Sequence, residues 1–250
     1  MSLPATHMAD IPSVETEFER FYRLTRAFEE RIYTDEQVAV LPDIEHGHRH
    51  EQEWRIRKRS AERLVNYLKG KQQPLHILEI GCGNGWLSAA MARVDGSMVR
   101  GIDLNEKEVK QAQRVFAQGN LEFRYKSFDQ QLLTGEKFDV LVFAAALPYF
   151  SSAKQTVLQA LHLLKPGGEV HLTDAHFYRP DELISARKAC VDYFDKMGFP
   201  EMASMYYHHT LEALDGLDYK VLIDPRNIIN KYLKKEPFYW VMVKHGQVEQ

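Results

Sequence analysis

The chain has 250 residues, 44% of them hydrophobic and 27% charged, with 32 Lys and Arg against 35 Asp and Glu. That length can bury one sizeable core, and a net charge of −3 with an isoelectric point near 6.4 supplies no general attraction to nucleic acid. Two cysteines, Cys82 and Cys190, are too few for a disulfide framework, no apolar run approaches the ~20 residues of a membrane span, and no secretory h-region opens the chain. A reducing cytoplasm is the expected compartment.

In chain order, Val14, Phe18, Phe21, Tyr22, Thr25, Phe28 and Ile32 recur at steps of three and four, which predicts an amphipathic helix over 13–32. Residues 33–50, with Pro42, Gly47 and little periodicity, read as a loop. Within it, His46, His48 and His50 have no Cys or carboxylate at a ligand spacing, so no metal is expected there. A second helix is predicted over 51–69, with Trp54, Ala61, Leu64, Val65 and Leu68 on one face and Gly70 and Pro74 ending it. Arg55, Arg57, Lys58, Arg59 and Arg63, interspersed with Glu51, Glu53 and Glu62, read as its solvated side. One of them is a candidate to reach an anion.

From residue 75 onward short apolar runs alternate with helical ones, the pattern of a parallel sheet covered on both faces. Predicted strands are 75–80, 97–102, 121–125, 138–143 and 169–173, with helices near 86–94, 105–118 and 152–164 between them. Ser152 and Gln155 form a capping box for the last helix. Pro180, Asp181 and Glu182 open a further helix, 180–197, with Leu183, Ile184, Cys190, Val191 and Phe194 expected to face inward. Strands at 219–223 and 238–244 close the chain.

The segment His76-Ile77-Leu78-Glu79-Ile80-Gly81-Cys82-Gly83-Asn84-Gly85-Trp86-Leu87 is the most specific in the sequence. It reads as a buried strand ending on a carboxylate, then a glycine turn, then a helix whose first amides favour an anionic ligand group. A dinucleotide fingerprint, G-x-G-x-x-G, would need a third glycine at position 86, which is tryptophan. A second carboxylate, Asp103, ends the next strand and is spaced to accept ribose hydroxyls.

The pattern Glu79-x-Gly81-x-Gly83-x-Gly85 resembles motif I of the class I, Rossmann-like S-adenosylmethionine-dependent methyltransferases. Lys165-Pro166-Gly167-Gly168 resembles the turn before strand five in many small-molecule members. The resemblance covers about residues 70–245. It implies a seven-stranded, mostly parallel, doubly wound α/β sheet over 70–250, with residues 10–69 as an N-terminal helical cap on the substrate side.

It also implies S-adenosylmethionine as cofactor, with Glu79 at the methionine amino end and the loop Gly81, Cys82, Gly83 and Gly85 along the amino-acid moiety. Asp103 with Leu104 would meet the ribose, Phe128 and Asp129 the adenine, and Ala144 with Ala145 would leave room beside the sulfonium. Transfer is then an in-line displacement that needs positioning and exclusion of water rather than a metal.

Tyr149 is expected at the acceptor entrance, and His176 is the candidate general base because an imidazole titrates near neutrality. Tyr33, Trp54 and Phe150 are further aromatic candidates. Tyr206, Tyr207, His208 and His209 could line a pocket or pack an insertion against the sheet. Ala146-Leu147-Pro148-Tyr149 is similar to the Asn-Leu-Pro-Tyr of base-modifying amino methyltransferases, but alanine cannot accept the hydrogen bond that Asn would. The expected partner is therefore a small-molecule acceptor with an oxygen or nitrogen nucleophile, with no nucleic acid, no membrane and an open oligomeric state. The competing readings are a nucleic-acid or protein acceptor, a non-catalytic adenosylmethionine-binding subunit, and an NAD-dependent oxidoreductase.

Overall fold

The computed structural model describes residues 15–128, 135–233 and 236–245. Three helices precede the sheet: α1 (Glu17–Phe28), α2 (Asp35–Val40) and α3 (Glu51–Lys69). A Thr16/Glu19 capping box starts α1. The predicted start at 13 and Val14 lie outside the described residues, and Phe28 and Ile32 are exposed. A second capping box, Thr34 with Gln37, starts α2. The 33–50 segment is thus not all loop.

Seven strands then form one sheet: β1 (His76–Ile80), β2 (Met98–Asp103), β3 (Leu121–Tyr125), β4 (Phe138–Ala144), β5 (Leu164–Ala175), β8 (Asp218–Ile223) and β9 (Tyr239–Lys244). Their order is β3-β2-β1-β4-β5-β9-β8, with β9 antiparallel to both neighbours. Helices α4 (Trp86–Met91), α5 (Glu106–Val115) and α6 (Ala153–Leu161) follow β1, β2 and β4. The order reverses between β1 and β4, and a sheet of this kind binds ligands at the carboxyl ends of its strands beside that point.

The core lies on both faces of the sheet. One layer packs Leu78, Leu141, Phe143 and Leu172 against Val157 and Leu161 of α6. The other packs Ile77, Val140 and Val142 against Met91 of α4 and Leu64 and Leu68 of α3. Helix α3 therefore belongs to the sheet's own helical layer. Tyr67 of α3 further donates to the buried carboxylate of Glu169, which also meets Lys71 and Lys244.

Two details differ from the sequence-based expectation. Strand β5 begins at Leu164, so Lys165-Pro166-Gly167-Gly168 lies inside the strand as an irregularity in its pairing with β4. Gly167 has φ of +78°, which costs glycine nothing. The 180–197 segment divides into a 3-10 turn (Pro180–Glu182) and α7 (Leu183–Met197). Its buried residues are Phe194 and Met197, whereas Ile184 and Val191 face outward. The reason is that α7 packs along one narrow seam, against α1 and the turn Pro200–Met205, through Phe21, Phe194, Met197 and Met202. A short parallel pair, β6 (Phe177–Tyr178) with β7 (His209–Thr210), ties the end of β5 to this insertion. Helix α8 (Ile228–Leu233) precedes β9.

Candidate functional site

A cleft with about 1300 Å³ of empty space, open mouth included, lies at the carboxyl ends of β1, β2 and β4. Its floor is the turn between β1 and α4. Gly81, Gly83 and Gly85 all have positive φ, at +75°, +52° and +82°. A Cβ on Gly81 would come within 2.7 Å of the Ala146 Cβ, and one on Gly85 within 2.5 Å of the Phe123 ring. At these two positions the protein's own packing and the left-handed backbone both require glycine.

Asp103 clasps the turn. Its carboxylate accepts from the Gly83 N–H at 2.8 Å and the Asn105 N–H at 2.7 Å. Burial pushes its carboxyl up, against the pull of those N–H donors and that of Leu104. Both oxygens keep a second lone pair for hydroxyl donors. Glu79, 2% exposed, accepts from the Ser88 hydroxyl of α4, and burial pushes its carboxyl up to about 8. Glu108 of α5, beside Gly83, is pushed to about 7 by burial and by the nearby Asp103, while Arg26 pulls it down. Cys82 is buried in the turn, and burial raises its thiol, which keeps it inert.

Of the sequence-predicted residues, the cleft brings together Glu79, Gly81, Cys82, Gly83, Asp103, Leu104, Phe128, Ala144, Ala145, Tyr149 and Phe150. Gly85 is not itself in the lining but sits between the lining residues Asn84 and Trp86, as the left-handed cap of α4. Asp129 lies outside the described residues. The Phe128 ring stands edge-on to Phe143 at 5.6 Å and to Phe150 at 6.1 Å. Trp54 lines the cleft beside Trp86, rings 5.3 Å apart, and donates its indole N–H to the Tyr33 hydroxyl, which sits behind it.

His176 is not among the lining residues. Its ring lies on Tyr178, centroids 4.4 Å apart, and is separated from Tyr149 by Tyr178, His208 and Tyr206. Burial and the nearby Arg226 lower its pKa. The 206–209 cluster packs rather than lines. Tyr206 meets Tyr149 edge-on at 5.7 Å, the Tyr207 N–H donates to the Pro148 carbonyl, and the His209 ring contacts the Leu147 carbonyl oxygen at 3.2 Å. These residues brace the 3-10 turn Leu147–Tyr149 from behind. Asp174 faces a separate, small cavity with Ser60 and Arg63. The histidines of 46–50 have divergent partners: His46 meets Glu51, and His50 the Glu29 carbonyl oxygen.

Several cleft residues escaped sequence reasoning. Phe18, Tyr22 and Arg26 of α1 line it, as do Arg31 and Glu53, which stand with Arg57 of the basic series already singled out. Glu53 takes a bidentate pair from Arg31 and a further hydrogen bond from Arg57. Arg57 is thus the member of the basic series on α3 that reaches the cleft. The i, i+4, i+8 spacing of Phe18, Tyr22 and Arg26 was the available signal.

A donor set of this kind fits S-adenosylmethionine. The glycine turn admits backbone approach, Asp103 offers acceptor lone pairs to ribose hydroxyls, the Phe128 and Phe150 rings suit a purine, and Glu79 suits an ammonium. A family model described as "Methyltransferase domain" matches residues 77–168. The chain is 32% identical over 105 residues to the ubiquinone biosynthesis O-methyltransferase of Coxiella burnetii, covering 41% of this chain and 43% of that protein. It is 23% identical over 229 residues to the malonyl-[acyl-carrier protein] O-methyltransferase of Halalkalibacterium halodurans, covering 86% and 83%. The match thus spans less than half the length of the first of these relatives. In fold, it is similar to magnesium protoporphyrin IX methyltransferase from Synechocystis with bound S-adenosylhomocysteine, at TM-score 0.55 and 18% identity, over 89% of this chain and 91% of that one. Among the described residues no helix is long and apolar enough to cross a membrane. Sheet order, glycine turn and the match over residues 77–168 agree, and the chain is similar to the class I, Rossmann-like S-adenosylmethionine-dependent methyltransferases.

Proposed function

We propose that this chain transfers the methyl group of S-adenosylmethionine to an oxygen of a small-molecule acceptor. The observation that carries this is the single cleft wall shared by the Gly81–Gly85 turn, Asp103 and Tyr149. In this reading Glu79 takes the amino end, Asp103 and Leu104 the ribose, and Phe128 the adenine, with Asp129 assigned to the adenine amine by sequence. The bound sulfonium supplies an electrophilic methyl carbon. The protein's part is to align an acceptor beside Ala144 and Ala145 and to keep water out with α1.

Tyr149, whose hydroxyl burial keeps protonated, acts as a donor rather than a base. His176 takes no part in proton transfer in this reading, because three rings stand between it and Tyr149. The preference for oxygen over nitrogen rests on the O-methyltransferase relatives. The segment before α3 serves as the cap over the cofactor.

Incubation with methyl-labelled S-adenosylmethionine and a size-fractionated cell extract tests the proposal. Label appearing in the small-molecule fraction supports it. Label in nucleic acid or protein shifts the acceptor class, and label nowhere despite cofactor binding points to a non-catalytic subunit.

A further inference from the structure

Among the described residues, one arginine of the cleft, Arg26, is held by no ion pair. Arg26 projects from α1 into the cleft, and its buried Nε has no hydrogen-bond partner. The neighbouring Arg31 and Arg57 are both held by Glu53. The guanidinium lies 5.8 Å from the Tyr22 ring centroid. The charges it senses are those of Glu108 and Glu29, through space only, and the Tyr22 and Tyr149 hydroxyls stand near it. Burial keeps both phenols protonated, so they face the cleft as neutral donors.

Arg26 is half-buried with its Nε fully out of water, and a surface helix could point this long side chain outward at no loss. Its direction into the cleft is explained by a ligand anion. A planar guanidinium beside two phenol donors matches a carboxylate, which it can bind through two parallel hydrogen bonds. Phe18 packs on the same tyrosines, with Tyr149 5.6 Å away, so an apolar or aromatic body fits next to the anion.

Two anions compete for this assignment: the carboxylate of the cofactor and one on the acceptor. With Glu79 at the methionine end as proposed above, the arginine over Trp54, whose ring meets Trp86, is Arg57, which shares Glu53 with Arg31. Arg26 stands instead with Tyr22 and Tyr149. We infer that the methyl acceptor is a small carboxylate with an apolar or aromatic body, anchored by Arg26 with the Tyr22 and Tyr149 hydroxyls. This rests on the methyltransferase reading and narrows its substrate class.

The test uses the full chain saturated with S-adenosylhomocysteine, titrated calorimetrically with benzoate and with its neutral isostere benzamide. Benzoate is expected to bind about tenfold more tightly, the scale of a charge-assisted hydrogen bond. Arg26→Gln should abolish that preference and leave affinity for S-adenosylhomocysteine unchanged, which also shows that the variant is folded. Equal response of the unmodified protein to both probes, including no response to either, overturns the inference. So does Arg26→Gln weakening S-adenosylhomocysteine about as much as benzoate, because Arg26 would then serve the cofactor. Failure of S-adenosylhomocysteine itself to bind the unmodified protein strikes the methyltransferase reading instead.

Discussion

Glu79 is the residue whose environment says most about how the cleft accepts its ligand. Its buried carboxyl, at about 8, carries a proton at neutral pH. An ammonium set against it favours the ionised form. If Glu79 holds the amino end of the cofactor, binding expels that proton. Affinity for S-adenosylhomocysteine then rises as pH increases towards about 8, where the free protein is itself ionised, and flattens above. Calorimetric Kd values across this range, in unmodified protein and Glu79→Gln, check the sign; a pH-independent Kd in both contradicts it. Asp103→Ala should weaken the same ligand by about 1.5–3 kcal/mol, the worth of hydrogen bonds to a charged group. A thermal melt must accompany that measurement, since the mutation also removes the clasp on Gly83. Unchanged affinity would take Asp103 out of the site. Glu79 and Asp103 were legible in the sequence because each ends an apolar run next to a turn. Arg26 was not, because a basic residue on an amphipathic stripe looks solvated until the neighbouring helix turns it inward.

At the scale of elements, α1 and the Leu147–Tyr149 turn, which the proposed function puts on the acceptor side, both line the cleft, and each is held by the α7 insertion. Phe21 seats α1 against Phe194, Met197 and Met202. Phe21→Ala should cost about 3 kcal/mol of packing, as a phenylalanine truncation does. Because this cluster is separate from the sheet's core, the loss should appear as faster amide exchange across α1 and α7 with β1, β4 and β5 still protected. Uniform loss of protection would show instead that α1 and the sheet form one cooperative unit. The strands and most helices followed from apolar periodicity. Helix α2 was missed because six residues are too few for a period, although its capping box was visible at Thr34 and Gln37. The inner face of α7 was misassigned for a related reason: a helix packed along a narrow seam leaves apolar residues such as Ile184 outside, so periodicity marks no unique face. The pairing of β6 with β7 joins residues about thirty apart, a contact no local pattern encodes.

For the whole molecule, the reversal of strand order between β1 and β4 places the glycine turn, Asp103 and Ala144 around one crevice. The fold class was legible because βα alternation and a strand-turn-helix motif constrain it jointly. The packing of α1 on the α7 insertion was not, since the two meet only in three dimensions. The crevice takes S-adenosylmethionine and not a dinucleotide. Isothermal titration of the intact chain with S-adenosylhomocysteine, and separately with NADH, measures this directly. Saturable, stoichiometric binding of S-adenosylhomocysteine with no heat from NADH is expected. Binding of NADH, or of neither ligand by folded protein, would contradict it.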